Sequence, residues 1–425
     1  MVDDVIRIKA IDLDYAGRGV ARHDGMVVFV YDLLPGEEAQ VRIMARKARF
    51  MTGRVIERST TSPSRSPYPL VHGAADLIHL SSEQQLDWQI KTTRETMRSI
   101  AGLDVDINDV IHDDRHFHYR NKSVFHVMDH DVLTLGLYTY DNQGLCPVET
   151  WALADETTND LLACITKAAI NVDPKTLKHI VIRTNPQGQA LVTFAARSWS
   201  FKGMEPLTDC LKKQTGVVGI TLNLSDNPKR ILGSKSKIIY GENRLKEPFH
   251  DGSIEIDDRT FYQINLPVIQ KVYDWIKHRL TEGATLIDAY SGVGVIGLYL
   301  ADKVDHVTLI ESQSTNIKMA RHMCQDFQMK HIDIHHAKTE DRLDSIEGNT
   351  LVVDPPRNGL MPRVVDIINA RGFQDVFYLS CDVKTLARDL ANMMGCYEIQ
   401  AVIPIRLFPQ TTSIETLVHL KPKRM

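Results

Sequence analysis

The stretch that most constrains this chain is residues 284–311, ATLIDAYSGVGVIGLYLADKVDHVTLIE. Its pattern is a strand, a glycine turn, a helix and a second strand. Thr285-Leu286-Ile287-Asp288 is a short apolar run of the kind that makes a buried strand. Ser291-Gly292-Val293-Gly294 supplies a tight turn whose glycines let a ligand and the next helix approach bare backbone. Val295 to Ala301 starts a helix whose N-terminus would face that ligand. His306 to Ile310 forms the next strand, with Glu311 at its carboxyl end. Parallel sheets bind ligands at that end, and a carboxylate there can hold the two hydroxyls of a ribose. Gly292, Gly294 and Gly297 satisfy G-x-G-x-x-G with an acid about 20 residues on, so a nicotinamide dinucleotide fits this stretch as well as S-adenosylmethionine does.

The chain keeps alternating after Glu311. A helix over 315–327 precedes a strand over 332–335. Leu351-Val352-Val353 is another buried strand, ending in Asp354-Pro355-Pro356-Arg357. A helix near 363–370 leads to the strand 376–379, which ends in Ser380-Cys381-Asp382, and a helix over 384–394 follows. Alternation of this kind predicts an α/β fold with a parallel, doubly wound sheet. The last two strands, 398–404 and 413–420, have no helix between them and can form a hairpin. Ahead of the sheet, Val268, Ile269, Val272, Ile276 and Leu280 repeat at helical spacing, with Pro267 in the first turn.

The N-terminal part reads differently. Residues 1–59 hold short strands punctuated by glycine turns, which predicts a small β-barrel of the oligonucleotide-binding kind. Arg42, Arg46, Lys47 and Arg49 beside Phe50 form a basic cluster of the type that holds phosphates and stacks a base; a solvated pair of charged strands gives the same pattern. The proline- and serine-rich TTSPSRSPYP at 60–69 marks a boundary. An amphipathic helix with a serine cap is expected over 81–100. Mixed strands and helices then run to residue 250, with a helix over 155–170 and no catalytic constellation. The expected domains are therefore a barrel over 1–59, a mixed α+β region over 60–250 and the α/β sheet over 251–425.

Composition excludes several classes. At 425 residues and net charge −4 there is no strong basic balance, so a nucleic-acid partner must be met by local patches. The six cysteines are scattered without a C-x-x-C pair, which argues against a zinc or disulfide framework and suits a reducing cytoplasm. The first residues, MVDDVIRIKAIDLD, carry early acids and no long apolar core, unlike a signal peptide. No run of about 20 apolar residues predicts a membrane span.

Three strand ends carry groups that could do chemistry: Glu311, Asp354 on its stiff Pro-Pro loop, and Cys381. A thiol at a helix N-terminus is expected to shift toward the nucleophilic thiolate, although a single cysteine is more often a small core residue. Glu415 interrupts an apolar strand, either as a solvated edge charge or as a general base held in a cleft.

Taken together, the motifs FYQIN (261–265), DAYSGVGVIGLYLA (288–301), DPPRNG (354–359), YLSCDVKTLARDL (378–390) and FPQTTSIETLVHL (408–420) resemble the S-adenosylmethionine-dependent RNA uracil-5-methyltransferases. Residues 1–59 resemble the TRAM barrel of many such enzymes, and YRNKSVF (119–125) and GLY (136–138) resemble their middle domain. The resemblance implies a Rossmann-like class I methyltransferase sheet behind two RNA-binding regions. It implies that Gln263, Tyr290, Gly292, Gly294, Glu311 and Asp354 meet S-adenosyl-L-methionine, that Cys381 is the nucleophile and that Glu415 is the base. The implied partner is RNA, with 23S ribosomal RNA favoured over transfer RNA; a cytoplasmic monomer is the default expectation, and a catalytically inactive RNA-binding relative is the alternative. The chain departs from relatives that carry an iron–sulfur cluster. Where they have four cysteines it has Ser66, His72, Ala75 and Trp151, so no cluster and no metal site is expected.

Overall fold

The computed structural model describes residues 4–107, 109–225, 227, 230–249 and 252–423. The boundary expected between residues 250 and 251 lies outside the described residues, as do the first three and the last two positions.

The N-terminal strands are β1 (Val5–Lys9), β2 (Asp12–Leu13), β3 (Gly19–His23), β4 (Met26–Tyr31), β5 (Glu38–Arg46) and β6 (Phe50–Arg58). They form one sheet in the order β1-β5-β6-β4-β3-β2. Val28, Val30, Val41, Ile43 and Met51 make its core, because alternate residues of each strand point to one face. The basic cluster at Arg42, Arg46, Lys47 and Arg49 is exposed, and Phe50 packs edge-on against Phe29. Helix α1 (Ser82–Thr96) follows, capped by the Ser81 hydroxyl on the Gln84 N–H, as the Ser-x-x pattern requires.

The middle region holds β7 (Lys122–Val127), β8 (Leu135–Tyr138), β9 (Leu145–Pro147), α2 (Glu156–Ala168), β10 (Leu177–Thr184), β11 (Ala190–Ala196), α3 (Met204–Leu211), β12 (Val217–Leu224) and β13 (Ser236–Gly241). Its seven-stranded sheet runs β13-β12-β11-β10-β7-β8-β9. A hairpin, β14 (Arg244–Phe249) with β15 (Gly252–Asp257), precedes the last region.

There α4 (Leu266–Lys277), β16 (Thr285–Ala289), α5 (Val295–Leu300), β17 (His306–Glu311), α6 (Ser314–Asp326), β18 (Ile332–His336), α7 (Thr339–Arg342), β19 (Thr350–Val353), α8 (Pro362–Arg371), β20 (Asp375–Ser380), α9 (Val383–Met393), β21 (Tyr397–Ile405) and β22 (Glu415–Pro422) follow in order. The sheet order is β18-β17-β16-β19-β20-β22-β21. The first five strands are parallel, and the chain order reverses between β16 and β19, the crevice where such sheets bind ligands. The last two strands pair antiparallel, and β22 is inserted between β20 and β21. No helix is long and apolar enough to cross a membrane among the described residues.

The joint at 60–69 is not a free linker. Arg65 reaches back to Glu37 at the end of the barrel, with Nε 2.6 Å from Oε1 and Nη2 2.7 Å from Oε2. Glu37 is fully buried and also accepts from the Leu34 and Ser62 N–H groups and from Arg58. Burial works to raise the Glu37 carboxyl, but Arg65 and these N–H donors outweigh it and hold it below its ordinary value. Breaking a buried ion pair from one side leaves the other charge unpaired. Glu37→Ala should therefore cost the barrel about 3 kcal/mol, read as faster hydrogen exchange in β5 and β6; unchanged exchange would contradict this. Because the folded carboxyl is depressed, the stabilisation is complete above the ordinary value of 4.5 and is lost as pH falls through the lower folded one.

Candidate active site

The glycine turn divides its labour. Gly292 has φ +57°, and a Cβ there would meet nothing within 4 Å, so the turn opens onto free space. Gly294 and Gly297 instead make room for packing: a Cβ would lie 2.6 Å from Leu298 and 2.5 Å from Leu309 respectively. Helix α5 is six residues long, shorter than the expected stretch to Ala301, where the backbone tightens into a 3-10 turn. Tyr290, just before the turn, holds a left-handed φ of +61°. A non-glycine residue keeps that conformation only where its surroundings enforce it.

Glu311 ends β17 facing this turn. Its Oε2 accepts the Gly292 N–H at 3.0 Å and its Oε1 the Gln313 N–H at 2.5 Å, so the carboxylate is oriented before any ligand arrives. Asp288, at the end of β16, was not singled out from the sequence. Its Oδ2 accepts the Gly297 N–H at 2.8 Å, and its buried Oδ1 has no hydrogen-bond partner among the described residues. Burial raises the Asp288 carboxyl to about 7, with Asp354 and Glu311 adding to the shift. The signal was available: an acid inside an otherwise apolar strand.

Asp354 follows β19, and burial raises it to about 7 as well. Gln263 is half-buried, and its carbonyl accepts from Asn121 Nδ2 at 3.2 Å, which ties this segment to the middle region. A cavity of about 650 Å³ lies against the same segment. Tyr262 and Ile264 line it with Asn121, Asp155, Val295 and Tyr299, whereas Gln263 and the other predicted site residues do not.

Cys381 and Glu415 come together through strand register. Ser380 at the end of β20 pairs with Thr416 near the start of β22, so the next residue on each side is Cys381 and Glu415. Glu415 therefore opens its strand instead of interrupting it, because the chain turns and bends through residues 409–412 shortly before. Burial, then the Glu415 and Asp354 carboxylates, push the Cys381 thiol up to about 11, while Arg357 pulls it the other way. This corrects the expected shift toward thiolate. The N-terminus of α9 is occupied by the Asp382 side chain, which accepts the Lys384 and Thr385 N–H groups, so those donors do not serve the thiol. Burial and Asp354 likewise raise Glu415 to about 8, with Arg357 again opposing. Arg357 is thus the counter-charge to both the thiol and the Glu415 carboxyl, a residue of the DPPR motif to which the sequence assigned no role.

Of the four positions where the resemblance would place cluster cysteines, Ala75 and Trp151 are buried in the core and Ser66 and His72 are half-buried. His72 and Trp151 meet edge to face at 5.3 Å, Ala75 is buried beside them, and the Ser66 hydroxyl accepts the Tyr68 N–H. None is a thiolate, so these residues do not fit an iron–sulfur cluster.

Residues 336–423 match the family described as tRNA (Uracil-5-)-methyltransferase, and residues 1–56 match the TRAM domain. A protein of Parasynechococcus marenigrum described as an uncharacterized RNA methyltransferase is 30% identical, covering 98% of this chain and 95% of its own. One of Enterococcus faecalis with the same description is 30% identical, covering 98% of this chain and 97% of its own. The crystal structure of a Pyrococcus abyssi tRNA (uracil-54, C5)-methyltransferase in complex with S-adenosyl-L-homocysteine shares the fold. Its TM-score is 0.77 at 21% identity, over 98% of this chain and 100% of that one. With relatives similar from end to end, and with sulfur and carboxylate meeting at the edge of a class I sheet, this chain belongs to the RNA uracil-5-methyltransferase family.

Proposed function

We propose that this enzyme methylates C5 of a uridine in RNA, using S-adenosylmethionine and a transient bond from Cys381 to C6 of the base. The observation that carries the reading is the register that sets Cys381 beside Glu415, at the strand ends that also carry Asp354 and Glu311. These residues fit S-adenosylmethionine. Glu311 presents an oriented carboxylate for ribose hydroxyls, Gly292 leaves open space, and Asp288 and Asp354 form an acidic wall suited to a cationic sulfonium. The Gln263 amide and the Tyr290 ring would complete the enclosure. When bound, that group supplies an electrophilic methyl.

The work of this chain's residues is to make C5 nucleophilic. The Cys381 thiol gives up its proton to solvent, and the thiolate adds to C6, forming an S–C bond and placing the electron pair of the C5–C6 double bond on an enolate. Methylation leaves C5 bearing both the methyl and its original hydrogen. Glu415 removes that hydrogen as a proton, the double bond re-forms and the S–C6 bond breaks. The base must leave its stack to reach the sulfur, and the exposed basic cluster on β5 and the following turn offers phosphate contacts.

The barrel does not separate the two candidate RNAs, since the tRNA-acting neighbour is matched over its full length. The favoured 23S target is tested by incubating unmodified 23S and transfer RNA transcripts with the enzyme and mapping 5-methyluridine; label in transfer RNA alone would reverse the preference.

Cys381→Ala should abolish methyl transfer, and full activity in that variant would sink the covalent route. Glu415→Gln should still add and methylate but release slowly, so a methylated RNA–protein band resistant to denaturant accumulates. Glu311→Ala removes an acceptor worth about 1.5–3 kcal/mol, so calorimetry should show S-adenosylhomocysteine binding at least about tenfold more weakly; unchanged affinity would remove Glu311 from the site. Cys381 and Glu415 must both lose a proton, and both are raised, to about 11 and about 8. The value of kcat/KM for RNA should therefore climb with pH through about 8 and beyond. A profile flat from about pH 6 to 9 would contradict the assignment.

A further inference from the structure

The loop that delivers Glu415 is held by residues far away in sequence. Gln410 is buried and adopts a left-handed φ of +70°, which a non-glycine residue keeps only under external constraint. Its N–H donates to Gln85 Oε1 at 3.0 Å, its carbonyl accepts the Leu77 N–H at 3.0 Å, and its side-chain Oε1 accepts from Gln85 Nε2 at 2.8 Å. Gln85 is itself buried on α1. Its Oε1 also accepts Arg406 Nη2 at 2.7 Å, so one amide grips the loop at both ends of the stretch 406–410. Two residues further on, Asp76 takes the Thr412 N–H and hydroxyl, each at 2.7 Å. Only Ser413 and buried Ile414 then separate this clamp from Glu415.

From this we infer that Gln85 and Asp76 are positioning residues for the proton-abstraction step, acting through the 406–412 loop on Glu415. The inference rests on the reading of Glu415 as the base. A glutamine is needed because the same side chain must accept twice on one atom and donate from the other. Neither an apolar residue nor a carboxylate of the same length does both. The cofactor turn and Cys381 are carried by β16, β17 and β20, outside this clamp. Loosening it should therefore slow the base and leave binding of both substrates and formation of the sulfur–carbon bond in place.

The test uses the full chain in single turnover with an unmodified RNA transcript and S-adenosylmethionine, reading product and denaturant-resistant methylated adduct together. Gln85→Leu should release product at least tenfold more slowly and accumulate adduct, with KM for both substrates within twofold of the parent. Gln85→Glu, which keeps the acceptor facing Arg406, should recover part of the rate. Asp76→Ala loosens the other end of the clamp and should give the same adduct signature, which serves if Gln85→Leu does not fold. Native product release in both Gln85→Leu and Asp76→Ala, or loss of product with no adduct, overturns the inference. Glu415→Gln run alongside separates the two claims. Adduct in Glu415→Gln but not in the clamp variants discards the clamp alone, whereas its absence in all three discards the base assignment and the clamp with it.

Discussion

The site depends on one departure from a purely parallel sheet. Strand β22 runs antiparallel and is inserted between β20 and β21. In a parallel strand, the residue leaving at the carboxyl edge is the last one; in an antiparallel neighbour it is the first. The ladder that pairs Ser380 with Thr416 therefore brings the residue after one strand against the residue before the other. A shift of one residue would turn Glu415 to the opposite face of the sheet. Leu417, Val418 and Leu420 are buried on β22, and their packing holds the register.

That geometry creates an electrostatic problem which the chain resolves only in part. Asp354 and Glu415 surround a thiol in a partly desolvated setting, with Asp288 on the far side of Asp354, and each of these groups is pushed up. Arg357 opposes the shift at both Cys381 and Glu415. The free enzyme thus keeps its sulfur protonated and unreactive, and the acidic wall suits a positively charged methyl donor. A low-pKa cysteine would be a stronger nucleophile at neutral pH, but it would also be more open to oxidation.

Much of this was legible in the sequence. Local signals located the elements: the Ser81 cap, the helix expected from residue 155, the helical repeat of α4, and the strand–helix alternation of the sheet. The motif residues Glu311, Asp354 and Cys381 fall at strand ends as the pattern implies. What the pattern could not carry was non-local. The insertion of β22 is a pairing choice between strands that all look alike in one dimension. The thiol's shift was misjudged because burial and the Glu415 and Asp354 carboxylates, all set by the fold, push it up, while Asp382, one position beyond the cysteine, takes the helix donors. Gln85 was read as part of an amphipathic helix, and nothing nearby in the chain signals that its amide closes on residues more than 300 positions later. Arg65 sat inside a stretch that reads as a linker, and only the fold shows it closing on a buried carboxylate.

The central claim is that a Cys381–C6 bond forms and that C5 must then lose a proton before it breaks. RNA transcribed with 5-fluorouridine tests this directly, because fluorine at C5 cannot be removed as a proton. The native enzyme with S-adenosylmethionine should become trapped on such RNA in a denaturant-stable complex, with the nucleotide mapped by mass spectrometry to the peptide containing Cys381. Methylation of ordinary RNA with no trapped complex on the fluorinated one, or attachment at another residue, would contradict the account.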